Sequence, residues 1–128
     1  MIYVDSSVIL AELLMEDRRP PSTFWDEVLV SSRLLEYEVW NRVHARGLSV
    51  ARRDDTQRIL AQIDLHELEA EYLERALHPF PIAVRTMDSL HLATADYLSR
   101  YDRDVRLASY DHRLLAAAQA LGIETAPL

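Results

Sequence analysis

The chain contains no lysine, and all 14 of its basic residues are arginine. Schiff-base chemistry and a Walker-type phosphate loop both need a lysine ammonium, so both are excluded. Aspartyl-phosphate receivers and haloacid-dehalogenase-like phosphatases go with them, because each sets a lysine beside the phosphorylated aspartate. Cysteine is absent too, which removes disulfides, thiolate metal sites and cysteine nucleophiles. There are only two glycines, Gly47 and Gly122, and each reads as the end of a helix. No apolar run approaches the ~20 residues that cross a bilayer. The start, Met1 to Asp5, lacks the basic segment of a secretory signal. The expectation is a cytoplasmic protein with no membrane association.

What is present is 128 residues, 49% of them hydrophobic. That suits a single domain over residues 1–128 that buries about two-thirds of the unfolded chain's surface. The 21 acidic residues against 14 arginines leave a net charge of −7. Taken alone, this argues against a nucleic-acid ligand, whose usual footprint is a basic patch.

Hydrophobic periodicity gives the element order. Ile2 to Val4 reads as a short strand ending in Asp5-Ser6-Ser7, which can cap a helix over Val8 to Met15. Val28 to Val30 reads as a second strand, and Ser31-Ser32 as the opening of a helix from Arg33 to about Arg46. Ser49 to Ile63 and Glu67 to Leu77 predict two more helices, the later one stopped by Pro79 and Pro81. Thr86 is the expected N-cap of a helix with Met87, Leu90, Ala93, Tyr97 and Leu98 at 3–4 spacing. A strand at Val105 to Ala108, a helix through Leu114 to Leu121 and a strand at Ile123 to Thr125 complete the chain. The alternation predicts an α/β fold: a short, mostly parallel sheet of about four to five strands with helices on both faces.

In such a sheet, ligands bind beyond the carboxyl ends of the strands. Asp5 and Asp111 follow strands there, and Asp88 lies in the first turn of its helix. Each has an ordinary explanation by itself, as a cap, a turn residue or a partner of the helix dipole. Together they are remote in sequence and brought by topology to one rim, where carboxylates repel one another unless a cation intervenes. An all-oxygen site suits Mg²⁺ or Mn²⁺. A fourth carboxylate is expected from the helix after the second strand, which offers Glu36 and Glu38. They point about 200° apart, and periodicity does not choose between them.

The motifs resemble those of PIN-domain ribonucleases, specifically VapC-type toxins of toxin–antitoxin pairs. Ile2-Tyr3-Val4-Asp5-Ser6-Ser7 resembles the family's opening strand, which ends in Asp followed by Ser or Thr. Ser32 to Val39 resembles the second motif, which implies Glu38 as the metal-binding acid. Thr86 to Ala95 is the most specific match and places the third motif's acid at Asp88. Leu107 to Asp111 resembles the fourth, with Ser109 where the family often has Thr or Ser. Asp96, Asp102 and Asp104 are rival acids near that motif. Asp96 falls about 12 Å along its helix from Asp88, and the other two precede the strand.

The resemblance implies an endoribonuclease in which Asp5, Glu38, Asp88 and Asp111 hold Mg²⁺ or Mn²⁺. The metal activates water to cut RNA, leaving a 5′-phosphate and a 3′-hydroxyl. Ser6 and Ser109 are candidates for orienting water or the carboxylates. Arg42, Arg46 and His91 are candidates for substrate contact, with an ordinary Glu38–Arg42 helical pair as the alternative for Arg42. The resemblance further implies a homodimer and a cognate antitoxin that covers the site. The apolar helix from Val8 to Leu14 and the acidic run from Asp64 to Glu74 are places for such contacts.

Overall fold

In the computed structural model, which describes residues 1–128, the chain is organised around one three-residue strand. Strand β1 (Ile2–Val4) is buried throughout, with Leu29–Ser32 (β2) on one side and Arg106–Ala108 (β4) on the other. Ile63–His66 (β3) extends the sheet beyond β2, and Glu124–Thr125 (β5) extends it beyond β4. The order is β3-β2-β1-β4-β5, and every neighbouring pair is parallel. Sequence order reverses direction across the sheet at β1, so a crevice opens at its carboxyl end. Asp5 sits at that point.

Alternation along β1 assigns its residues to two cores. Ile2 and Val4 face a cluster with Val8, Ile9 and Leu13 of α1 (Ser6–Leu13) and Leu35, Val39 and Val43 of α2 (Leu34–Ala45). Leu60 of α3 (Arg53–Leu60) joins the same side. Tyr3 faces the other way, into a cluster with Leu92 and Ala95 of α5 (Thr86–Tyr101) and Leu114, Ala117 and Ala118 of α6 (His112–Ala120). Helix α4 (Ala70–Ala76) packs on α5 outside this layer. A buried Leu, Ile or Val contributes about 1.5–3 kcal/mol, so the two faces bind the helices to the sheet without a disulfide.

Several element boundaries differ from the sequence expectation. The helix expected over Ser49 to Ile63 is confined to Arg53–Leu60, and Val50, expected to face inward, is 84% exposed. Ile63 instead begins β3, whose Ile-Asp-Leu-His alternation places Ile63 inward and Asp64 outward. The acidic run from Asp64 to Glu74 is therefore a strand, a connection and the start of α4, not one helix face. Ser31 and Ser32 belong to β2, and α1 begins at Ser6, two residues earlier than expected. Arg85, not Thr86, holds the cap position of α5. Helix α1 spends its apolar side on the core, with Val8, Ile9, Ala11 and Leu13 buried, so that side offers nothing to a partner. Gly47 and Gly122 have φ of 68° and 80°, the left-handed conformation that ends α2 and α6.

Candidate active site

Asp5 leaves the end of β1 and is almost fully buried, at 5% exposure. Its Oδ2 accepts from the Ser7 hydroxyl at 2.6 Å, the Ser109 hydroxyl at 2.8 Å and the Ser7 amide at 3.4 Å. The last of these also caps α1, so the cap reading and the site reading describe one side chain. Oδ1 accepts none of these bonds, yet it is not sealed from solvent. One oxygen is fixed and the other is left to a ligand.

The same division recurs twice. Asp111 caps α6 through Oδ1, which accepts from the Arg113 amide at 2.9 Å and the Leu114 amide at 3.3 Å. Glu38 projects from α2 toward α5, where its Oε1 is hydrogen-bonded by His91 Nε2. Its Oε2 meets only the Ser6 hydroxyl, at 3.5 Å. Glu36, the alternative acid on this helix, turns outward to Arg33 at 3.3 Å. The choice that a helical wheel left open is thus made by His91.

Asp88, in the first turn of α5, completes the set. Burial raises its carboxyl above the usual range; the charges of Asp5, Asp111 and Glu38 push the same way, and His91 partly opposes them. Asp88 therefore lies within electrostatic reach of the other three candidate acids, which come from the ends of β1 and α6 and from α2. Their side chains do not as placed converge on one coordination point, since no three acidic or imidazole groups are arranged to hold an ion. The donor set still fits a hard divalent cation. It is all oxygen, it repels itself around Asp88, and Asp5, Glu38 and Asp111 each keep one oxygen free of strong bonds.

The rival acids lie elsewhere. Asp96 pairs with Arg100 at 3.1 Å and Arg75 at 3.5 Å, and Asp102 accepts from the Asp104 amide at 2.9 Å. Arg42 and Arg46 are exposed on α2 and form no ion pair. Glu38 pairs with His91 and not with Arg42, so the helical pair does not form. His91 corrects an expectation: it is 1% exposed and both ring nitrogens are engaged, so it cannot touch substrate.

Two residues of the site escaped the sequence reading. Ser7 both donates to Asp5 and accepts the Tyr110 amide at 2.9 Å, tying the β1 end to the β4 end. Tyr3 lies beneath the site; its hydroxyl accepts from the Ser32 amide at 3.1 Å and is 2.8 Å from His91 Nδ1. The available signals were the Asp-x-Ser spacing and a tyrosine inside a buried strand, whose hydroxyl must find a partner.

Comparison with known proteins gives the family. The PIN domain family profile matches residues 2–120. Ribonuclease VapC46 of Mycobacterium tuberculosis is 36% identical over 129 aligned residues, covering 95% of this chain and 93% of the relative. Ribonuclease VapC35 of the same species is 29% identical, covering 96% and 93%. Among solved structures, PAE2754 from Pyrobaculum aerophilum superposes with a TM-score of 0.60 at 17% identity. That match covers 91% of this chain and 78% of the other, and it supports the fold alone. The profile spans all four acidic positions and the relatives span nearly the whole chain: the protein belongs to the PIN domain family, among its VapC-type ribonucleases.

Proposed function

We propose that the protein is an Mg²⁺- or Mn²⁺-dependent endoribonuclease, the toxin of a toxin–antitoxin pair. The observation that carries this is the electrostatic coupling of Asp88 to Asp5, Glu38 and Asp111 at the point where the sheet reverses direction. These four carboxylates would hold the metal. A divalent cation there supplies the positive charge that activates water and offsets the negative charge gathering on the phosphate in the transition state.

The chain's own groups do the rest. Ser7 and Ser109 fix Asp5, while Ser6 approaches the free oxygen of Glu38. Arg42 and Arg46, unpaired on the exposed side of α2, are placed to meet the RNA backbone. Beside Glu38 opens a cleft of about 610 Å³ whose lining includes Tyr37, Trp40, Asn41, His44 and Met87. Trp40 and His44 stack there with ring centroids 5.6 Å apart, a face suited to unpaired bases. Hydrolysis leaves a 5′-phosphate and a 3′-hydroxyl.

A VapC-type toxin is expected to act in the cytoplasm, as a homodimer, with an antitoxin covering the acidic site. No helix is long and apolar enough to cross a membrane. The test is cleavage of matched RNA and DNA oligonucleotides in Mn²⁺. Asp5→Ala and Asp88→Ala should each abolish RNA cleavage while keeping the circular dichroism spectrum of the parent, and the cognate antitoxin should silence the parent. Full activity in either variant would sink the reading.

A further inference from the structure

We propose that His91 is a positioning residue: with Tyr3 behind it, it holds Glu38 in place for the divalent cation, an inference that rests on the nuclease reading above. A chain of hydrogen bonds runs through the core, from the Ser32 amide of β2 to Tyr3 of β1, His91 of α5 and Glu38 of α2. Tyr3 is 0% exposed and His91 1%. Neither can swing out to water.

A backbone N–H can only donate, so the Tyr3 oxygen accepts from Ser32. When the imidazole is neutral, the Tyr3 proton is available to His91 Nδ1. Burial holds the Tyr3 phenol protonated, far above its usual range, despite hydrogen bonds that oppose the shift. With Nδ1 accepting, Nε2 carries the proton and donates it to Glu38 Oε1. The imidazole cannot flip without breaking two bonds in a dry interior.

Glu38 needs this support more than the other acids do. Asp5 has a short side chain and three donors on Oδ2, and Asp111 is fixed by two amides. Glu38 has a longer side chain on a half-exposed helical position, and apart from His91 it meets only the 3.5 Å contact from Ser6. Occupying Oε1 presents Oε2 to the cation. Partners that orient a metal-binding carboxylate in this way typically change metal affinity by about 10–100-fold when removed.

The test uses the full chain as His91→Leu, His91→Gln and Tyr3→Phe, with folding checked by circular dichroism. Mn²⁺ binding is measured by titration calorimetry and RNA cleavage by steady-state kinetics. The ¹⁵N shifts of His91 are recorded in metal-free protein at alkaline pH. The parent should show a locked neutral imidazole protonated at Nε2, and Tyr3→Phe should lose that signature. His91→Leu should raise the Mn²⁺ Kd by about tenfold or more, lowering kcat with KM for RNA little changed. His91→Gln, whose amide can replace the Nε2 donor, should recover most of the affinity. Kd values for folded His91→Leu and Tyr3→Phe within about twofold of the parent overturn the proposal, as does His91→Gln binding no better than His91→Leu. If His91→Leu does not fold, Tyr3→Phe against the parent decides. A parent that binds Mn²⁺ but cuts no RNA would count against the nuclease reading, and these Kd values would still decide the role of His91.

Discussion

Tyr3 packs its ring where a phenylalanine would pack as well, so the cost of losing it lies in the hydroxyl. Tyr3→Phe leaves the Ser32 amide and His91 Nδ1 without partners in a region closed to water. Each orphaned group costs about 1–3 kcal/mol, and urea denaturation should show a loss of at least that size. Asp88 gives a prediction of opposite sign. Its carboxyl is raised above 3.8 by burial first and by its acidic neighbours second. The folded metal-free protein therefore holds that proton more tightly than the unfolded chain does. Stability from this group is intact below 3.8 and is lost as pH climbs through the raised value. With metal chelated, Asp88→Asn should melt higher than the parent at neutral pH and show no advantage in acid. An equal difference at both pH values would refute the shared acidic site. The candidate acids stand out in the sequence through motif and strand-end position. Ser7 and Tyr3 do not, because their roles arise from partners about 100 and 90 positions away, which no local spacing encodes.

Among the elements, α6 couples helix formation to the site. Asp111 is its N-cap and, in the proposed site, one of the four acids. The two roles separate by substitution: asparagine caps about as well as aspartate, whereas alanine loses about 0.5–2 kcal/mol of helix stability. Asp111→Asn should retain the thermal stability of the parent while cleaving RNA poorly. Asp111→Ala should lose both, and normal cleavage by Asp111→Asn would remove this residue from the metal set. The elements carrying the candidate acids were legible from their apolar patterns, reinforced by a capping aspartate only at α1 and α6. Strand β3 was hidden for a physical reason. It is an edge strand, with Asp64 74% exposed at its side chain, and its two inward apolar residues adjoin an amphipathic helix and an acidic run. Tertiary pairing with β2 along Leu29 to Ser32 decides its conformation. The helix expected from Ser49 fails at its start because Val50 has no core to enter.

For the whole molecule, the net charge of −7 invites a misreading. Setting aside the four acids of the site, the balance is 14 against 21 − 4 = 17, or −3. Four charges of that net −7 thus belong to the candidate site, where a bound cation would offset them locally, and total charge says little about a polyanionic substrate. The α/β class and its parallel sheet were legible from alternation, whereas the strand order, with β1 between β2 and β4, was not. That order also sets the kinetics of folding. Ile2 pairs with Leu29 on one side and Arg106 on the other, contacts of long sequence separation that place folding in the millisecond-to-second range, not the microsecond range. Refolding followed by Trp fluorescence and by Mn²⁺ binding should give one shared rate constant; Mn²⁺ binding that precedes the fluorescence change would contradict this.

The position of β1 has a consequence for synthesis. Among the strands of this sheet the earliest made is the central one, and its second neighbour, β4, is made about 100 residues later. Asp111 follows β4, so the proposed acidic site cannot assemble before that strand has been made. A growing chain held at the ribosome, surrounded by RNA, carries three of its acids unassembled until the last of them emerges.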